Sequence, residues 1–456
     1  MRVPAVVLTT MLFLLISAEK PLFENLSVIK TVDMTEAIVN VTIRYQVSPS
    51  QDDLVDYQVA IPNSDIEHMA YIETSALRKA SLSLKKDELQ PIEGVTLYTV
   101  HSSDKISNKF VFFVNYYLTH VFVPVPATIT QQETPKYVFN HDLYVQSPYP
   151  SQKQEIRFNL PASTIFSYTD LSPNSKNGNT LTYGPFASLS PFVSPVSVRI
   201  HFPSVAKFRT LETVEREIEI SHWGNVAIEE VIRARNSGSP LTGEFSRLDY
   251  YKSDPDSVPY WEELTARIDR RAMDVYYRDI LGNITTSHVR RQPGSMLVEL
   301  QMRFPMLGGW KNEFYWGYNL PSNRVLKKEG EHFSLTVPFS TPIEQVDVQE
   351  LTVRVILPEC VKNVEFSLPE GVEAMPVQKR FTYLDSSFRG RPVYEFKKRN
   401  LIELQKGETI TVTYDLNQMM LWREPLMCIG AFAGLFFLKA VIHWLTWRNN
   451  DKVKRD

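Results

Sequence analysis

The chain has 456 residues, 43% of them hydrophobic and 22% charged, with a formal net charge of -3. That balance excludes wholesale disorder and supplies no positive field of the kind that draws nucleic acid. The 29 Pro against 17 Gly favour strands and stiff turns, and with only Cys360 and Cys428 present a cysteine-built zinc site is excluded.

The chain opens Met1-Arg2, runs apolar from Val3 to Ile16 and closes the run at Ser17-Ala18. A positive start, a short apolar stretch and a small residue predict a signal peptide over 1–18. Beyond it, Val39, Val41, Ile43, Tyr45 and Val47 are apolar at every second place, with polar residues between them. A strand with one face buried has this period. It returns from Met296 to Phe304, from Leu351 to Leu357 and from Ile410 to Leu416.

Turn clusters at Ser147-Pro-Tyr-Pro150, Ser172 to Gly178 and Asn236 to Pro240 punctuate these runs. The pattern predicts a mainly β protein with two β-sandwich-like domains, 19–217 and 218–424, and a boundary near Arg216 to Ser221. One amphipathic helix is expected over Tyr260 to Met273, where Leu264, Ile268 and Ala272 recur at spacing four.

Residues 425–447 are apolar apart from Lys439 and His443. As a helix they extend about 34 Å, enough to cross a hydrocarbon core of about 30 Å. Trp422, Trp444 and Trp447 flank the stretch, as interfacial indoles do. Lys439 is the exception; it can snorkel toward Arg448 or meet a carboxylate of a neighbouring subunit. The tail 448–456 is rich in Lys and Arg, so the C-terminus is expected in the cytosol and the body in the lumen. Within it, Lys452 and Lys454 have the spacing of a dilysine retrieval signal of endoplasmic-reticulum proteins. Asn25-Leu-Ser27, Asn40-Val-Thr42 and Asn283-Ile-Thr285 are candidate glycosylation acceptors, with Asn283 in the best turn context.

No phosphate loop, metal-binding His pair or nucleophile elbow appears, so neither a catalytic set nor a cofactor is expected. His120, His201, His222 and His288 stand singly and read as structural. Asp254-Pro-Asp256 reads as a turn, and Arg389-Gly-Arg391 as an ordinary basic loop. The aromatic run from Phe304 to Pro321 fits either a stacking surface for peptide or glycan, or two strands around a Gly-Gly turn filling a core; the second fits better.

Arg303-Phe-Pro-Met-Leu-Gly-Gly-Trp-Lys311, with Gly317-Tyr-Asn-Leu-Pro321, closely resembles the ribophorin I family, the alpha subunit of the oligosaccharyltransferase complex. Ser221-His-Trp-Gly-Asn-Val226, Asp274 to Asp279, Ser147-Pro-Tyr-Pro150, Tyr183-Gly-Pro-Phe186, Arg391-Pro-Val393 and Glu424-Pro-Leu426 are similar too. The resemblance implies a place in the endoplasmic-reticulum membrane, in a complex that moves oligosaccharide from dolichyl diphosphate to Asn in Asn-x-Ser/Thr of nascent polypeptides. It implies an accessory role, with other subunits of the complex, nascent acceptors and membrane lipid as partners and with catalysis on a different chain. The short tail past Trp447 is similar to that of fungal-type members. The rival reading is a stand-alone luminal cargo receptor or chaperone using the Trp310 to Tyr318 surface.

Overall fold

Along Val39–Pro49 every second side chain, from Val39 to Val47, is buried, while Asn40, Thr42, Arg44 and Gln46 are half-exposed. β-branched and aromatic residues at period two can bury one face of a pleated strand, and each such side chain contributes about 1.5–3 kcal/mol. The computed structural model describes residues 21–453 apart from 52–53, 78–80, 88–91, 107–108, 255–256, 382–389, 418 and 420–421. The expected signal peptide, Lys454, Asp256 and Arg389 lie outside the described residues.

The chain divides into two compact units, Met1–Thr210 with Arg235–Trp261 and Pro305–Lys311, and Leu211–Ala234 with Glu262–Phe304 and Asn312–Asp456. The segment Arg216 to Ser221, where the sequence suggests a boundary, lies inside the continuous strand Arg209–Ser221. The chain changes unit at Thr210 and then returns twice to the first unit, so neither unit is a single stretch.

In the described residues of the first unit, a seven-stranded sheet is joined by a four-stranded and a three-stranded sheet. Strand Phe23–Asp33 lies inside the large sheet, parallel to Ser151–Asn159 and antiparallel to Val39–Pro49. All three sheets feed one core: Val28, Val41 and Phe112 come from the first, Phe139 and Ile200 from the second, Tyr57 and Val59 from the third.

The second unit is built on a sheet of nine strands that includes Arg209–Ser221, Asn225–Asn236, Lys311–Pro321, Asp347–Ile356 and Arg391–Ile402. A three-stranded and a four-stranded sheet complete it. The expected helix over 260–273 is instead the strand Trp261–Asp269. Leu264, Ala266 and Ile268 are buried in alternation with more exposed neighbours. Spacing four is two strand repeats as well as about one helical turn, and Ala266 decides for the strand. The last described element is the helix Arg423–Val453, whose segment Arg423–Trp447 is long and apolar enough to cross a membrane and is 0% buried.

Candidate functional site

Asn283 stands on a turn held from both sides. Strand Met273–Asp279 leads into the bridge Gly282–Asn283, and Oδ1 of Asp279 accepts the backbone N–H groups of Leu281 at 2.9 Å and Gly282 at 3.1 Å. Gly282 takes φ +122°, a conformation side chains resist. From strand Ser295–Met306, Arg303 donates through Nε to Asp279 Oδ2 and through Nη2 to Oδ1 at 2.9 Å. The same Nη2 reaches the carbonyls of Gly282 at 3.2 Å and Asn283 at 3.3 Å. The Arg303 hydrogen bond holds the Asp279 carboxyl below the usual carboxylate range, although desolvation opposes it. At the tip Ile280 and Leu281 are 88% and 77% exposed, and Asn283 is exposed beside them.

Asn25 has the opposite surroundings. Its side chain is 0% exposed; Nδ2 donates to Ser147 Oγ at 3.0 Å and Ser151 Oγ at 3.1 Å, and Oδ1 accepts from Tyr57 OH at 2.7 Å. The Ser147-Pro-Tyr-Pro motif thus supplies a clamp that uses the amide a glycan would need. Asn40 is half-buried on a strand between Phe23–Asp33 and Phe110–Leu118, opposite Asp33 and Tyr117. Lys439 is exposed on the terminal helix, and Lys452 falls within that helix's backbone.

The other motif residues hold the fold together. A Cβ on Gly308 would meet the Ser239 carbonyl oxygen at 1.8 Å, and one on Gly317 would meet Tyr276 OH at 2.5 Å and the Ile228 carbonyl oxygen at 2.8 Å. Phe314, Trp316 and Tyr318 are buried, so these three rings fill the core rather than offer a stacking surface. Arg391 bonds the carboxylate of Glu219 and the carbonyls of Ile220 at 3.0 Å and Leu357 at 3.2 Å. In the first unit Asp65 pairs with His141 at 3.3 Å and accepts from Tyr116 OH at 2.9 Å. Burial opposes its ionisation, but His141, Lys30 and Tyr116 outweigh that and lower its pKa to about 2. Sequence reasoning missed this cluster because its members lie far apart in the chain on strands that read as ordinary.

His222 donates to or accepts from Tyr414 OH at 3.1 Å, and His201 Nε2 meets the Val125 carbonyl at 3.3 Å. A cleft of about 550 Å³ in the second unit is lined by Lys327, Glu329, His332, Asn363, Glu365 and Asp415, among others. Asp415 accepts from Asn363 Nδ2 at 2.7 Å and pairs with His332, and the Asn363 bond leads in holding its carboxyl below the ordinary value. The lining carries both donors and acceptors, which suits hydrogen bonding to a polar surface. Among the described residues no group of three or more His, Cys, Asp or Glu is placed to hold a metal ion.

The first turn of the terminal helix is fastened to the second unit. Arg423 pairs with the buried carboxylate of Glu359, and Glu424 Oε2 accepts from Trp223 Nε1 at 3.3 Å. Among the described residues a mainly β body is followed by one helix long and apolar enough to cross a membrane, which fits a single-pass membrane protein. The family model described as Ribophorin I matches residues 23–443, and the chain belongs to that family. It is 32% identical over 416 residues to dolichyl-diphosphooligosaccharide–protein glycosyltransferase subunit 1 of Caenorhabditis elegans, covering 90% of this chain and 70% of that protein. Subunit 1A of Arabidopsis thaliana is 32% identical over 434 residues, covering 91% and 70% of the two chains. Subunit 1B of Oryza sativa subsp. japonica is 30% identical over 447 residues, covering 94% and 93%.

Proposed function

We propose that this chain is a non-catalytic accessory subunit of the oligosaccharyltransferase complex of the endoplasmic-reticulum membrane. There it supports en bloc transfer of oligosaccharide from dolichyl diphosphate to Asn in Asn-x-Ser/Thr of nascent polypeptides. The observation that carries this reading is the family match over 23–443, joined to relatives that bear the transferase subunit's name over about 90% of the chain. An accessory role fits the sequence of the span, because 425–447 holds neither Asp nor Glu to bind a metal or polarise a substrate within lipid.

In this reading the signal peptide 1–18 is removed, the β-rich body lies in the lumen, and the tail 448–456 lies in the cytosol with Lys452 and Lys454 as retrieval signal. Asn283 is the leading acceptor, followed by Asn40, and Lys439 is a contact for a partner helix. The partners are the catalytic and other accessory subunits, nascent polypeptide acceptors and membrane lipid.

The test is purification in mild detergent after tagging the chain, followed by assay of oligosaccharide transfer to an acceptor peptide. Co-isolation with transfer activity at fixed stoichiometry is expected, together with underglycosylation of several unrelated glycoproteins on depletion. A chain that isolates alone, with normal sequon occupancy after depletion, overturns the reading.

A further inference from the structure

Three connections meet at the end of the second unit from which the membrane helix departs. The turn Ser221 to Asn225 is tied to the strand Lys311–Pro321 and its exit by Asn225 Nδ2 to Asn319 Oδ1 at 3.0 Å and by Ser322 N to the Gly224 carbonyl at 3.0 Å. The turn Asp269 to Met273 reaches the same place through Arg324 Nε to Asp269 Oδ2 at 2.9 Å and the pairing of Met273 with Asn319. Trp223, bonded to Glu424 in the first helical turn, marks this end as the one adjoining the span.

The chemistry displayed here is specific. Trp223 and Trp422 are 63% and 65% exposed, a large apolar area to leave in water. Around them Arg270, Arg271 and Arg324 are exposed, and Met273 is 47% exposed. The nearby carboxylates are already engaged: Asp269 by Arg324, Asp274 by Asn319 Nδ2 at 3.0 Å, Glu359 by Arg423 and Glu424 by Trp223. Exposed indole rings among arginines suit the headgroup region of a bilayer, where rings sit among acyl chains and guanidinium groups meet phosphates.

We infer that this end of the second unit is a foot resting on the membrane, with Trp223 inserted at the lipid headgroup level and Arg270, Arg271 and Arg324 on lipid phosphates. The inference rests on the reading of 425–447 as a span. It gives the domain a second point of attachment beside its helix, and so a fixed orientation above the bilayer. The occupant is lipid, because the surface is continuous with a segment that itself lies in lipid.

The test uses the full chain in nanodiscs of phosphatidylcholine, with or without bromine on the acyl chains as a tryptophan quencher. The signal of Trp223 is obtained by difference from Trp223→Phe, and that of the span's far end from the Trp444→Phe/Trp447→Phe double variant. A Trp placed by Ile280→Trp in the Trp223→Phe background serves as the distant control. Ile280 lies beyond the other end of strand Met273–Asp279, about 20 Å from the foot at the rise of a strand. Loss of the Trp223 signal in brominated discs, with the Ile280→Trp signal retained, is the expected result. Quenching of the Trp444 and Trp447 signal with none at Trp223 overturns the foot while leaving the span intact. No quenching at either place overturns the span reading and the foot together.

Discussion

Arg216 donates from Nη1 to Oε1 of Glu230 in the interior of the second unit, where the two side chains are 0% and 1% exposed. The other oxygen of Glu230 accepts from Trp316 Nε1 at 2.9 Å and from Thr341 Oγ1 at 2.8 Å. Burial works against the Arg216 charge, and Tyr318 with Glu230 more than offsets it, so its pKa lies above the ordinary value. Glu230→Ala leaves a buried guanidinium without its counter-ion and two donors without acceptors. It is expected to cost about 3–5 kcal/mol, read as a lower denaturant midpoint. Adding Arg216→Met should recover part of that loss, since the stranded charge is gone while the Trp316 and Thr341 donors remain unpaired.

Gly308 and Gly317 are expected to tolerate no side chain. At Gly308 the obstacle is the Ser239 carbonyl oxygen, 1.8 Å from an added Cβ, and at Gly317 it includes the Ile228 carbonyl oxygen at 2.8 Å. Neither is the free end of a flexible side chain, so backbone must move. Alanine at either position should cost about 1–3 kcal/mol or more by overpacking. Gly407, where nothing lies within 4 Å and φ is ordinary, is the control. Alanine there should be neutral or stabilise slightly, by about 0.4–1 kcal/mol. Thermal midpoints of the three variants in one detergent provide the comparison.

Much of this architecture was legible in the residues, for physical reasons that also mark where the reading stops. Val39 to Val47 and Ile410 to Leu416 show a clean period of two because each strand buries one face. The helix expected over 260–273 failed because spacing four fits both periods, and Ala266, small and easily overlooked, was the residue that separated them. At Asn25 a tripeptide motif carries no information about its surroundings. The clamp that buries it comes from Ser147 and Ser151, over 120 residues away. The later part of the aromatic run was legible as core because Phe314, Trp316 and Tyr318 stand at every second place of strand Lys311–Pro321, and all three are buried. The Arg216 to Glu230 pair left no local signal, since two charges on neighbouring strands look like any solvated face until both are found inside.

The acceptor motifs separate by exposure. Asn283→Gln should remove one glycan's mass from the mature chain, because its turn is exposed and is held open by Asp279 and Arg303. Asn25→Gln should leave the mass unchanged apart from the substitution itself, because Nδ2 of Asn25 is committed to two serine hydroxyls inside the core. Intact mass before and after enzymatic glycan removal checks both. A glycan on Asn25 would contradict the packing of Tyr57, Ser147 and Ser151 around it.

His222 makes stability depend on pH in a direction that can be worked out. It packs edge-on to Phe333 with centroids 4.5 Å apart and meets Tyr414 OH, and burial first, then the charge of Lys328, lowers its pKa from 6.5 to about 4. Above the unfolded value the imidazole is neutral in both states and folding carries no penalty. As pH falls below that value the unfolded chain takes up a proton that the folded chain refuses, so stability declines until the folded value near 4 is reached. His222→Gln keeps a hydrogen-bonding group beside Tyr414 but cannot titrate, so its thermal midpoint should fall less steeply than the parent's across that window. Lys328→Gln removes the second cause, raises the folded pKa and shortens the window from its acid end. Parallel slopes for parent and His222→Gln between the two values would show that the imidazole is not held neutral by its surroundings.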